Sequence, residues 1–96
     1  YAFTFKALSD PTRLQILDIL SCGELCACDI LETFQITQPT LSYHMKILVD
    51  SSLVKARKES TWVFYSLNSE KVNASITFFT RITQTKEQCI CKNDKE

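Results

Sequence analysis

The apolar positions of this chain fall in blocks whose spacing changes from helical to alternating and back again. In SDPTRLQILDIL, residues 9–20, Leu14, Leu17 and Leu20 recur at helical spacing. Ser9 or Asp10 stands where a cap accepts from free backbone N–H groups, and Pro11 suits the first turn. The pattern predicts a helix that stops near Gly23, the only glycine in the chain and the natural terminator. ELCACDILETF follows, with Leu25, Ile30, Leu31 and Phe34 for a buried face, and predicts a short second helix. In QPTLSYHMKILVDSSL, Thr37 is the cap, Pro39 lies in the first turn, and Leu41, Met45 and Leu48 form one stripe while Ser42, Tyr43 and Lys46 point elsewhere.

Two short helices joined by three or four residues, the second apolar inside and polar or basic outside, form a helix-turn-helix. LVKARK and TWVFYSL then take on strand character around Glu59 and Ser60, which predicts a two-stranded hairpin without the glycine or asparagine that tight turns favour. SEKVNASITFFTRITQTKEQ opens on a Ser69 cap and repeats Val72, Ile76, Phe79 and Thr83, a long amphipathic helix with more apolar surface than one small domain needs. The fold class is therefore mostly α with a small β-hairpin, a winged helix-turn-helix that dimerises through Val72, Ile76 and Phe79. Residues 1–88 form one DNA-binding and dimerisation domain, and residues 89–96 a polar tail that carries two cysteines.

Composition narrows the function. Ninety-six residues make one domain, and no apolar run approaches the roughly 18 residues of a membrane span, so a soluble, cytoplasmic chain is expected. The net charge of zero changes meaning once it is divided along the chain. Residues 1–37 set Lys6 and Arg13 against Asp10, Asp18, Glu24, Asp29 and Glu32, whereas residues 38–58 set Lys46, Lys55, Arg57 and Lys58 against Asp50 alone. Positive charge gathers where the helix-turn-helix and hairpin are predicted, which suits local contact with phosphate. Gln38, Thr40 and Ser42 stand on the turns of a recognition helix that can reach base edges, Tyr43 shares that DNA-facing surface, and Lys46, Lys55, Arg57 and Lys58 suit the backbone. Double-stranded DNA is the expected partner.

Five cysteines remain: Cys22, Cys26, Cys28, Cys89 and Cys91. An odd count argues against a disulfide framework. Cys26 and Cys28 are two residues apart at a predicted helix start, where thiol pKa falls and soft ions find thiolates. Residues at that spacing point about 200° apart on a regular helix, so packing gives no reason for the pair, and one ion holding both sulfurs requires that turn to unwind. A redox pair is the rival reading. Cys22 is either a third ligand or a packed residue. Cys89 and Cys91 form either an auxiliary site or an incidental tail pair. His44, the only histidine, reads as a hydrogen-bonded boundary residue. Nothing supplies a reductase or hydrolase constellation, so an enzyme is not expected.

LSDPTRLQIL, CGELCACDI, QPTLSYHMKIL and YSLN, in that order, resemble the ArsR/SmtB family of metal-sensing winged-helix repressors over residues 3–68, and the cysteine motif is similar to that of its arsenic-sensing branch. The resemblance implies a homodimer that sits on operator DNA until As(III) or Sb(III) binds thiolates and releases it, with no organic cofactor. Cadmium, lead, zinc or thiol oxidation are the alternative signals. Many members of that branch carry a further cysteine where this chain has Leu31, so here a third ligand comes from Cys22, from the tail, or is absent. The last helix lacks histidine, unlike the zinc-sensing branch.

Overall fold

The computed structural model describes residues 1–84. Its elements run α1 (Ala2–Ala7), α2 (Pro11–Leu20), β1 (Leu25–Cys26), α3 (Ala27–Phe34), α4 (Gln38–Asp50), β2 (Val54–Glu59), β3 (Trp62–Leu67) and α5 (Ser69–Thr83). The helices, the hairpin and the long last helix are those the pattern predicts. The short α1, the strand β1 and several boundaries are not.

Capping chemistry sets the helix starts. Asp10 accepts from the backbone N–H groups of Thr12 and Arg13 at 2.9 and 3.1 Å, with Pro11 in the first turn. Thr37 caps α4 by accepting from the Thr40 N–H at 3.3 Å. The cap of α5 is Asn68, which accepts from the Lys71 N–H, while Ser69 is the first helical residue. Helix α2 stops at Leu20, and Gly23 follows at φ 136°, a backbone that L side chains rarely adopt. Open space surrounds the point where a Cβ would sit on Gly23, so the dihedral, not crowding, calls for glycine.

The predicted second helix begins three residues late. Leu25 and Cys26 are an edge strand instead, pairing antiparallel with Tyr65 and Phe64 of β3. The sheet order is β1-β3-β2, and β2 pairs with β3 from Val54↔Leu67 to Glu59↔Trp62. Backbone pairing to β3 outweighs helical continuation because the chain arrives extended from the turn at Gly23 beside a strand with a free edge. The hairpin closes without glycine because Ser60 takes φ 57°.

Ile16, Ile30, Met45, Leu48 and Val54 are the largest fully buried side chains, bringing α2, α3, α4 and β2 to one core. Each contributes about 1.5–3 kcal/mol of transfer free energy. The buried stripe of α2 is Arg13, Ile16 and Leu20, and Leu14 is 49% exposed, so the predicted Leu14–Leu17–Leu20 face is rotated by about one position. Arg13 holds its place inside by donating from Nε to the Ala7 carbonyl at 2.7 Å and from Nη1 to His44 Nδ1 at 3.2 Å. That geometry makes Nδ1 the acceptor and assigns the ring proton to Nε2. Tyr1 stacks on Phe78 at 4.2 Å, and Phe5 meets Phe79 at 5.7 Å, so α1 is seated on α5.

Candidate thiol site and nucleic-acid interface

Cys26 is the N-cap of α3, extended at φ −84° and ψ 160°. Its sulfur accepts from the Asp29 N–H at 3.3 Å, and the Asp29 carboxylate accepts from the Cys26 N–H at 3.3 Å, a capping box with cysteine in the place of serine. Cys28 lies two positions further on, in the first turn, and the two residues are joined as a disulfide with Cα atoms 5.3 Å apart. The expectation that the sulfurs diverge is therefore corrected. Only Cys28 is inside the helix, and the extended cap turns the Cys26 side chain back over the first turn, so the two sulfurs meet without that turn unwinding. Cys26, Cys28 and Asp29 place their ligating atoms within 4.8 Å of one another. Cys26 is buried while Cys28 and Asp29 are exposed, so one sulfur is held and the other faces entry.

Among the described residues no third cysteine joins this group. Cys22 is free and exposed in the turn after α2. Cys89 and Cys91 lie outside the described residues. Asp29 was missed from the sequence, although its position three residues after Cys26 is the capping-box spacing. Glu24 was missed too.

Glu24 leads into β1 and binds Arg57 of β2 with two hydrogen bonds, Nη2 to Oε1 at 2.8 Å and Nε to Oε2 at 3.1 Å. The hydrogen bonds from Arg57 hold the Glu24 carboxyl below its ordinary range against an opposing push from partial desolvation, and the same pair with Glu59 raises Arg57. Glu59 adds a contact to Arg57 Nη1 at 3.2 Å, and the guanidinium lies 4.6 Å over the Phe64 ring. Arg57, expected to contact phosphate, donates here to the carboxylates of Glu24 and Glu59 and lies over a ring, so a phosphate would compete with these exposed pairs.

Gln38, Thr40, Ser42, Tyr43 and Lys46 are all exposed along α4, opposite the buried Leu41, His44, Met45 and Leu48. Thr40 shares its hydroxyl with Thr37 at 2.9 Å, and Lys46 pairs with Asp50 at 3.1 Å on the open surface. Lys55 and Lys58 are exposed on β2, with no ion-pair partner among the described residues. Alternation along the strand puts Lys55 on the Arg57 side and Lys58 on the other. Lys55, Arg57 and Lys58 are therefore not one patch.

Of the expected dimer residues, Ile76 and Phe79 are 58% and 54% exposed, while Val72 is partly buried against the core. With Phe5, Leu17 and Leu53 they line an apolar groove of about 340 Å³ between α5 and the body.

Residues 10–56 match the family described as bacterial regulatory protein, arsR family. The chain is 53% identical over 90 residues to the arsenical resistance operon repressor of Staphylococcus aureus, covering 94% of this chain and 86% of that protein. The chain belongs to the ArsR family. Its likeness to the arsenical resistance operon repressor of Bacillus subtilis is 44% over 78 residues, 80% of this chain and 74% of that one. The ArsR-family fold also matches HlyU from Vibrio cholerae, with a TM-score of 0.71 and 35% identity over 85% of this chain and 89% of that chain. The chain is thus a transcriptional regulator of the helix-turn-helix class, and none of its described helices is long and apolar enough to cross a membrane.

Proposed function

We propose that the chain is a homodimeric repressor that holds operator DNA through α4 and the β2–β3 wing and releases it when As(III) or Sb(III) binds the Cys26 and Cys28 thiolates. The carrying observation is the meeting of two cysteine side chains at the cap of α3, on a strand paired to the wing. Soft thiolates suit a soft trivalent ion. The relatives named as arsenical resistance operon repressors support the choice of ion.

Reduced Cys26 and Cys28 hold the ion, and Asp29 sits within reach as an oxygen donor. Cys26 is paired with Phe64, which pairs with Arg57, so a pull on the cap passes into the wing across one sheet. Ion and DNA favour different placements of these elements, and by linkage each weakens the other. Gln38, Thr40, Ser42 and Tyr43 read bases; Lys46, Lys55 and Lys58 meet phosphate. The Ile76 and Phe79 face, with the groove beneath it, seals the dimer. Operator DNA carrying a fluorophore should lose anisotropy on addition of arsenite to reduced protein. Unchanged anisotropy at an arsenite concentration that saturates the thiols would remove the proposal.

Thiol oxidation is the second reading, favoured by the Cys26–Cys28 bond itself. Release by peroxide but not by arsenite would select it.

A further inference from the structure

The guanidinium of Arg57 is shared between two carboxylates that hold it unequally. Glu24, from outside the wing, accepts from Nη2 at 2.8 Å and from Nε at 3.1 Å, whereas Glu59, two residues along the same strand, lies 3.2 Å from Nη1. The Glu24 side chain is 38% exposed and that of Glu59 69%, so Glu24 is the better-held partner. Arg57 pairs across the sheet with Phe64, and Phe64 with Cys26, so the three side chains share one face, and the guanidinium lies 4.6 Å over the Phe64 ring. Lys55 stands on that face too, roughly 7 Å along β2. It has no ion-pair partner among the described residues. A phosphate that meets Lys55 therefore arrives beside an arginine whose planar fork is engaged by a carboxylate.

We propose that Glu24 is a positioning residue that attenuates operator binding: its carboxylate stands in for a DNA phosphate on the Arg57 fork, and a phosphate gains Arg57 only by displacing it. This rests on the reading of the β2–β3 wing as a DNA contact. Carboxylate and phosphate both take the two-pronged geometry, so they compete for the same donors. Both partners of the ion pair are exposed, so the carboxylate is displaceable and the attenuation modest. Glu24 lies two residues before Cys26, so the only arginine of the wing is held by the segment that carries the thiols.

Anisotropy titrations of labelled operator DNA across a salt series, with the parent, Glu24→Gln, Arg57→Ala and the double variant, test this. Glu24→Gln should bind operator about two- to fivefold more tightly for each wing engaged, the range of an exposed ion pair. Its slope of log K against log salt should steepen by up to about 0.9 per wing. In the Arg57→Ala background the same substitution should bring neither change. A gain of equal size in that background would mean that Glu24 repels DNA by its charge alone, and overturns the proposal. Unchanged or weaker binding by Glu24→Gln overturns it too, since a brace that merely orders the wing loses affinity when it is cut. Lys55→Ala and Lys58→Ala, titrated alongside, keep the two readings apart. If they weaken binding while Glu24→Gln fails to tighten it, the wing contact stands and Glu24 has no part in it; if neither lysine matters, the wing contact falls and this proposal with it.

Discussion

Glu24 and Arg57, far apart in sequence, meet in a two-pronged ion pair that ties the residue leading into the thiol strand to the second strand of the wing. A guanidinium already balanced by Glu24 and Glu59 releases few counterions when DNA arrives. Lys55 and Lys58 have no such partners among the described residues. Arg57→Ala should therefore leave the salt dependence of operator binding almost unchanged, while Lys55→Ala or Lys58→Ala should flatten log K against log salt by about 0.9 per phosphate contact, twice that in a homodimer. Anisotropy titrations across a salt series measure the slopes, and an Arg57 effect as large as either lysine's would contradict the pairing.

The same pair carries a pH dependence of fixed sign. Arg57 lowers the Glu24 pKa, so the folded carboxyl binds its proton less readily than the unfolded one. The stabilisation is complete above the unfolded value, about 4.3, and is lost as pH falls through the lowered folded value. Carbon NMR of the Glu24 carboxyl should show a midpoint below the ordinary range that rises in Arg57→Ala. The surface exposure of both partners keeps the effect on global stability small.

Most of the frame is legible in the chain because its signals are local: the Asp10 and Thr37 caps, the Leu41, Met45 and Leu48 stripe, and the aromatic and β-branched run that ends at Leu67. What escapes a local reading is set by partners distant in sequence. Leu25 and Cys26 look helical until Phe64 and Tyr65 present a strand edge, and that pairing is what brings the two cysteines together. Arg57 looks like an unpaired cation until Glu24 arrives from across the sheet. Arg13 is a charge in an apolar stripe, and only the Ala7 carbonyl and His44 explain its burial.

That burial makes Arg13 a stability residue. Replacing it with Ala leaves the Ala7 carbonyl and His44 Nδ1 without donors, and each unsatisfied buried group costs about 1–3 kcal/mol. Urea unfolding of Arg13→Ala should show a midpoint lowered by a loss of about 2–4 kcal/mol at an unchanged m-value. A loss below about 1 kcal/mol would mean that water replaces the guanidinium.

Association is expected to rest on the exposed face of α5. Ile76→Glu places a charge on that face and should weaken dimerisation by at least about tenfold, some 1.4 kcal/mol. Sedimentation velocity over a concentration series reads the shift, and operator affinity should fall in parallel. A variant that stays dimeric at wild-type concentrations would move the interface elsewhere.

The two cysteines are expected to separate by substitution because only one of them caps a helix. Serine at 26 keeps an acceptor for the Asp29 N–H and is among the preferred caps, so Cys26→Ser should fold and bind operator as the parent does while losing arsenite-driven release. Alanine at 26 removes the ligand and the cap together, and should cost about 1 kcal/mol of stability as well. Cys28 makes no capping contact, so Cys28→Ser and Cys28→Ala should be alike in stability and alike in losing release. Thermal melts of the four variants, set beside arsenite titrations of their operator complexes, test both halves. Wild-type release from the double variant Cys26→Ser, Cys28→Ser would place the inducer site outside this pair, whereas equal melting of Cys26→Ser and Cys26→Ala would remove the cap while leaving the thiol site untouched.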